Sequence, residues 1–186
     1  DYFKGKDEKL VKPGEGITQQ AVAEAIINKH NAATNQRKFN AVFATSSIND
    51  AIEYYRLFRA LQKEKSFEDE DYAPLNIACV FSPPAQLIAK DGDQKSQKNA
   101  EDIKQLQEDL AQEKEDNKHN PEEKKQALIE IINDYNEQYG TNHSINDFDL
   151  YYQDVQSRIK NQKYSNKDYP HKNKIDITIV VDMLLT

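Results

Sequence analysis

The chain of 186 residues is long enough for one domain with a substantial core, and two independent domains would be cramped. Its formal net charge of −7 excludes a surface that grips nucleic acid by bulk electrostatics, so any such contact must be local. Charged residues make up 31% and hydrophobic residues 37%, a low apolar fraction for a compact α/β domain that predicts a charged appendage outside the core. The single cysteine, Cys79, cannot form an intramolecular disulfide and reads as a small buried hydrophobe. No stretch reaches the roughly 20 apolar residues of a membrane span, so a cytoplasmic protein without membrane contact is expected.

Residues 1–17 combine charges with Pro13, Gly14 and Gly16 and read as a linker from a preceding domain. The start carries neither an initiator Met nor a signal-peptide pattern, which places the natural N-terminus elsewhere. Thr18 is suited to cap a helix running to about Ala33, with Val22, Ala25 and Ile26 on its apolar face. The stretch 39–44, FNAVFA, is a candidate strand, and Thr45-Ser46-Ser47 lead from it into a helix. In that helix Ser47 and Asp50 stand at N-cap and N3, and Ile48, Ala51, Ile52, Tyr55, Phe58 and Leu61 form the buried stripe.

After the acidic cluster at 68–71, residues 75–81 (LNIACVF) form a second candidate strand bounded by Pro74 and by Ser82-Pro83-Pro84. Two apolar strands separated by a helix predict a βαβ unit and a parallel sheet. Residues 90–125 break this pattern: Lys, Glu, Asp, Gln and Asn dominate, and only Ile103, Leu106 and Leu110 recur regularly. A solvated helical insertion over about 90–120 accounts for them, and a partner-binding arm is the other reading.

Asn120-Pro121-Glu122-Glu123 predicts a helix start, with Asn as N-cap and Pro at N1. Leu128, Ile131, Ile132, Tyr135 and Tyr139 make its apolar face, and Gly140 closes it. Another helix is expected from Ser144 with Asp147 at N3, burying Phe148, Tyr152, Val155 and Ile159. Residues 176–182 are the strongest strand, continuously apolar as in a sheet covered on both faces, and are placed at its centre. The apolar run stops at Thr186 without a polar tail, as in a domain truncated at its C-terminus.

Little chemistry is encoded in motifs. Neither G-x-x-x-x-G-K-[ST] nor G-x-G-x-x-G occurs among the five glycines, so nothing cradles a nucleotide phosphate in those ways. His30, His119, His143 and His171 lack metal-ligand spacing and read as surface or loop residues. No Ser or Cys constellation marks a nucleophile. Glu122-Glu123-Lys124 matches the E-x-K part of some nuclease sites, yet acids in a helix's first turn already have a structural reason. What remains is positional: open α/β sheets place ligands at the carboxyl ends of their strands, and the hydroxyls and amides of Thr45, Ser46 and Ser47 suit a DNA phosphate there. Ser47 has the cap as its alternative role.

The segment RKFNAVFATSSINDAIEYY, residues 37–55, resembles helicase motif IV in the restriction subunit of type I restriction enzymes. IDITIVVDMLLT, residues 175–186, is similar to the first part of that family's motif V, which normally continues Gly-Phe-Asp. IACVFSPP and FDLYYQDVQSRIKNQ resemble the family's intervening sequence, in the same order. The resemblance implies an α/β fold, the three-layer second RecA-like lobe of a superfamily 2 DNA translocase, here incomplete over 18–186. It further implies that Thr45, Ser46, Ser47 and Thr186 lie near the phosphates of the tracked DNA strand. Other implied partners are the first RecA-like lobe of the same chain and the methyltransferase and specificity subunits. ATP and Mg2+ are implied as cofactors of the parent subunit, with their binding residues and the nuclease residues outside this chain; alone it is expected to be inactive. The alternative is a non-enzymatic α/β interaction module that binds protein through its charged arm. The motor reading requires the turn after Ala44 and the end of the last strand to open on the same rim of one sheet.

Overall fold

A computed structural model describes residues 3–4, 10–11, 18–84, 111–160 and 170–181. Within the expected linker, β1 (Phe3–Lys4) and β2 (Leu10–Val11) pair as a two-residue antiparallel ladder. Helix α1 (Gln19–Ala33) begins at Thr18, whose Oγ1 accepts the Ala21 N–H at 3.2 Å. Its buried positions are Ala21, Ala23, Ile27 and His30, so the inward face is turned from the expected Val22, Ala25 and Ile26. The reason is His30. This supposed surface residue is buried, its Nε2 3.2 Å from the Asp176 carbonyl oxygen, and it fixes which side of the helix meets the core.

Three strands, β3 (Ala41–Thr45), β4 (Ile77–Val80) and β5 (Ile177–Val181), form a parallel sheet in the order β3-β5-β4. All five residues of β5 are buried, as its unbroken apolar sequence requires of a central strand. β3 and β4 both pair with β5 and not with each other, so the expected βαβ unit spans the central strand. Cover is less complete at the edge: Val42 is 54% exposed and Ala44 is also exposed. The architecture is therefore mixed α/β around a small parallel sheet.

Helix α2 (Ile48–Glu68) buries the six predicted stripe residues together with Gln62, and it packs against α1 and all three strands. Gln62 is the polar exception with a purpose. Its Nε2 donates to the Leu75 carbonyl at 3.1 Å and its Oε1 accepts the Leu75 N–H, satisfying backbone just before β4. Cys79 is buried as expected, and burial pushes its thiol pKa up, consistent with an inert core side chain.

After α3 (Ala111–Asp116), helix α4 (Pro121–Tyr139) buries Leu128, Ile131, Ile132 and Tyr135. Asn120 does not cap it through its side chain; it adopts a left-handed φ of 46° and contributes its carbonyl to the Glu123 and Lys124 amides. Gly140 ends the helix at φ 65°, where glycine is the unstrained choice. Lys124 is buried with its Nζ on the His119 carbonyl, so the E-x-K triplet is a helix start folded on itself. The predicted helix from Ser144 begins instead with a 3-10 turn, Ile145–Asp147, and continues as α5 (Phe148–Ile159). Ser144 Oγ donates to Asp147 Oδ2 at 3.2 Å, which diverts it from capping. Tyr151, absent from the predicted stripe, is fully buried and donates to the Cys79 carbonyl at 2.7 Å. Between α4 and α5, Asp154 accepts from the Tyr135 hydroxyl at 2.7 Å and Arg158 Nε at 3.0 Å. The Arg158 guanidinium lies 4.2 Å from the Tyr139 ring centroid. His143, also expected at the surface, lies largely inside with Nε2 3.5 Å from Asp154.

The amino rim of the sheet is tied by Asp176. Its Oδ2 accepts the Asn76 N–H at 2.8 Å, lies 2.8 Å from His171 Nε2 and 3.9 Å from Arg37 Nη1. Arg37 also donates to the Pro74 and Ala73 carbonyls at 3.1 and 2.5 Å. The Asp176 carbonyl accepts the Ala41 N–H at 2.8 Å, so one residue links the starts of all three strands, β4 through its carboxylate and β3 through its backbone.

Candidate nucleic-acid interface

The opposite rim is where the chain leaves the strands. In the β3–β5 register Thr45 stands opposite Val181, and in β4–β5 Val80 stands opposite Val180, so all three strands finish on one side. The requirement that β3 and β5 share a rim is met. Thr186 itself lies outside the described residues.

The three hydroxyls after β3 are not equivalent. Thr45 is buried, and its Oγ1 donates to the Val180 carbonyl at 2.9 Å and approaches the Ser47 carbonyl at 3.2 Å, stapling the turn to the central strand. Ser47 has extended backbone, and its Oγ accepts the Asp50 N–H at 3.1 Å, the predicted cap. Ser46 alone is exposed, with its hydroxyl donated to Asp50 Oδ2. Gln19 Nε2 holds the other Asp50 oxygen at 3.2 Å. Only Ser46 therefore offers an accessible side chain to a ligand without dismantling the turn.

Three further residues shape this rim, all from the stretch read as a solvated insertion. Glu113 is 1% exposed and its Oε2 accepts the Ser82 N–H at 2.6 Å, while Asn117 Nδ2 donates to the Ser82 carbonyl at 2.9 Å. The peptide just past β4 is thus gripped from both sides. Asp116 Oδ2 accepts the Ile48 N–H, the first amide of α2, at 2.8 Å. Only the i, i+3, i+4 spacing of Glu113, Asp116 and Asn117 marks one face, and a charged face at that spacing is ordinarily solvated. Burial pushes the Glu113 carboxyl up to about 7; hydrogen bonds from Ser82 oppose the rise and the Asp116 charge adds to it. Among the described residues, Glu113 Oε1 and Asn117 Oδ1 are buried without a hydrogen-bond partner.

Elsewhere a cleft of about 370 Å³ opens between α2, β4 and α4. Within it Asp134 Oδ2 takes both the Tyr55 hydroxyl, at 2.8 Å, and Arg59 Nη1. Among the described residues no group of three or more His, Cys, Asp or Glu side chains converges on a metal-sized site. None of the described helices is long and apolar enough to cross a membrane.

The family described as type I restriction enzyme subunit R domain 3 matches residues 37–186. The chain belongs to that family. As an R-subunit domain 3, it is 29% identical over 167 residues to the endonuclease subunit of type I restriction enzyme SauCOLORF180P of Staphylococcus aureus (strain COL). It is 28% identical over the same length to the SauMRSORF196P endonuclease subunit of Staphylococcus aureus (strain MRSA252). Each match covers 90% of this chain and 14% of the relative, so the domain spans about a seventh of the curated relatives' length. The matched segment contains both halves of the rim, the Thr45–Ser47 turn and the Glu113–Asn117 grip, whereas α1 precedes it.

Proposed function

We propose that this domain is the second RecA-like lobe of the ATP-driven DNA translocase in a type I restriction endonuclease R subunit, acting in the cytoplasm on foreign DNA. The observation that carries the proposal is the common rim: the Thr45 turn and the end of β5 are neighbours in register, in a chain of this family. A DNA backbone crossing that rim would meet the Ser46 hydroxyl, a contact that positions DNA without reading its sequence. Thr45 and Ser47 act one step back, holding the turn in shape. Thr186 belongs to the same proposed track through its place in the motif V resemblance.

ATP and Mg2+ do not fit the described residues, which provide no glycine-rich phosphate loop and no converging acids. In this proposal both are bound by other parts of the longer subunit, including the first RecA-like lobe, and methyltransferase and specificity subunits select the DNA. The part played by this lobe is to hold phosphate as the two lobes close and reopen. The competing module, a protein-binding charged arm, is less well supported because its described end, Glu113 and Asn117, is committed to the sheet.

The test uses the full R subunit in its restriction complex. Ser46→Ala removes the exposed hydroxyl and leaves the staple and cap, so DNA-stimulated ATP hydrolysis should fall several-fold with DNA-free hydrolysis unchanged. Undiminished stimulation, in Ser46→Ala and in the triple Thr45, Ser46, Ser47→Ala variant alike, rejects the assignment of this rim.

A further inference from the structure

Among the described residues β4 is an edge strand, paired with β5 on one side only. Its backbone groups alternate in direction. The Asn76 carbonyl accepts the Ile177 N–H at 3.2 Å, which turns Asn76, Ala78 and Val80 toward β5 and Leu75, Ile77 and Cys79 away from it. The outward row is sealed at both ends. At one end the Gln62 carboxamide meets Leu75 through both of its functions, Nε2 on the carbonyl at 3.1 Å and Oε1 on the N–H. At the other the Tyr151 hydroxyl takes the Cys79 carbonyl at 2.7 Å. Between them the Ile77 N–H and carbonyl have no partner among the described residues.

This gap opens into the cleft of about 370 Å³ between α2, β4 and α4, a volume within the range of small-ligand sites. Residues 75–79 all line the cleft, although alternate side chains of a strand point to opposite faces, so the cleft exposes the edge of β4. Tyr55, Tyr135, Tyr139 and Tyr151 give it aromatic walls. Arg59, Asp134 and Glu137 stand among its lining, and the one guanidinium is already bound to Asp134. Two carboxylates against one cation make the cleft unfavourable to an anionic ligand.

We infer that the β4 edge is a binding site for a neutral aminopurine or aminopyrimidine nucleoside, held by the Ile77 N–H and carbonyl. Gln62 supplies the precedent within the fold. One planar group with an acceptor beside an N–H donor satisfies both backbone functions of Leu75, and the edge of adenine or cytosine presents the same pair, a ring nitrogen beside an amino group. The tyrosine walls favour a flat ring over an aliphatic amide, and the excess of carboxylates favours an uncharged sugar over a phosphorylated one.

The experiment follows hydrogen exchange of the full R subunit by mass spectrometry, with fragmentation that resolves single amides, in the presence and absence of millimolar adenosine. Adenosine should slow exchange at the Ile77 amide, whereas the Ala78 and Val80 amides, already in the ladder with β5, should change little. The compound N6,N6-dimethyladenosine lacks the donor and leaves the Ile77 carbonyl unpaired, so it should protect Ile77 roughly tenfold more weakly. Gln138→Trp places a bulky ring at an exposed position lining the cleft and should abolish the protection. Where that variant alters exchange across α4 without ligand, the dimethyl compound carries the test alone. No protection of Ile77 by adenosine, equal protection by the dimethyl compound, or protection that survives in a folded Gln138→Trp subunit each overturns the site.

Discussion

At the amino rim the Asp176 carboxylate is met by the Asn76 amide, His171 and Arg37, whereas at the carboxyl rim Asp50, Glu113 and Asp116 meet only amides, hydroxyls and carboxamides. Both rims gather buried or half-buried acids at strand ends. One supplies cations within reach and the other, among the described residues, supplies none. The contrast separates a rim that fixes the strands from a rim whose electrostatic imbalance is left for something else to answer.

The largest effect should come from the balanced rim. Asp176→Ala leaves the interior Asn76 amide without its acceptor and takes the carboxylate from His171 and Arg37, and breaking a buried pair by removing one partner costs about 3–5 kcal/mol. Urea denaturation should show it as a lower midpoint at unchanged slope; a loss under about 1 kcal/mol would mean the hub is incidental.

The next effect belongs to Glu113 and depends on pH. Its carboxyl is raised from 4.5 to about 7 in the folded chain, so between those values the unfolded chain holds fewer protons. Stability is therefore lost as pH rises through that window, by up to about 3 kcal/mol above it. Asp116, Cys79 and Tyr152 are the titratable groups facing Glu113. Glu113→Gln should flatten this segment of the pH profile relative to wild type and be the more stable protein near about pH 8. Parallel profiles for the two would show that the carboxylate stays ionised in the core.

Smaller still is Ser47→Ala, which removes the cap of α2 and should cost about 1 kcal/mol by thermal melting. Ser46→Ala completes the series, with a stability change within about 0.5 kcal/mol despite its expected effect on DNA-stimulated hydrolysis. A stability loss at Ser46 equal to that at Ser47 would erase the distinction between them.

Much of the scaffold was readable in advance because its signals are local and repeated. Six stripe residues at helical spacing define α2, and an unbroken apolar run places β5 at the centre. The cap at Ser47 needs only a neighbour three residues on. The site was less legible, since Glu113, Asp116 and Asn117 find their partners 31, 68 and 35 residues away. Charge without apolar periodicity looks the same in sequence whether it faces water or a strand end. The rotated face of α1 has a similar origin: His30 is buried by a carbonyl 146 residues distant. Asn120 misled for a third reason, because the same side chain that favours caps also tolerates left-handed backbone.

The two-sided hold on Ser82 couples two ends of the sheet. The chain departs from the sheet at Ser82 and returns to touch the same peptide at Glu113, so the excursion is clasped at its base. Asp116 lies between the two gripping side chains, so the clasp that pins the end of β4 also carries the acceptor for the first amide of α2.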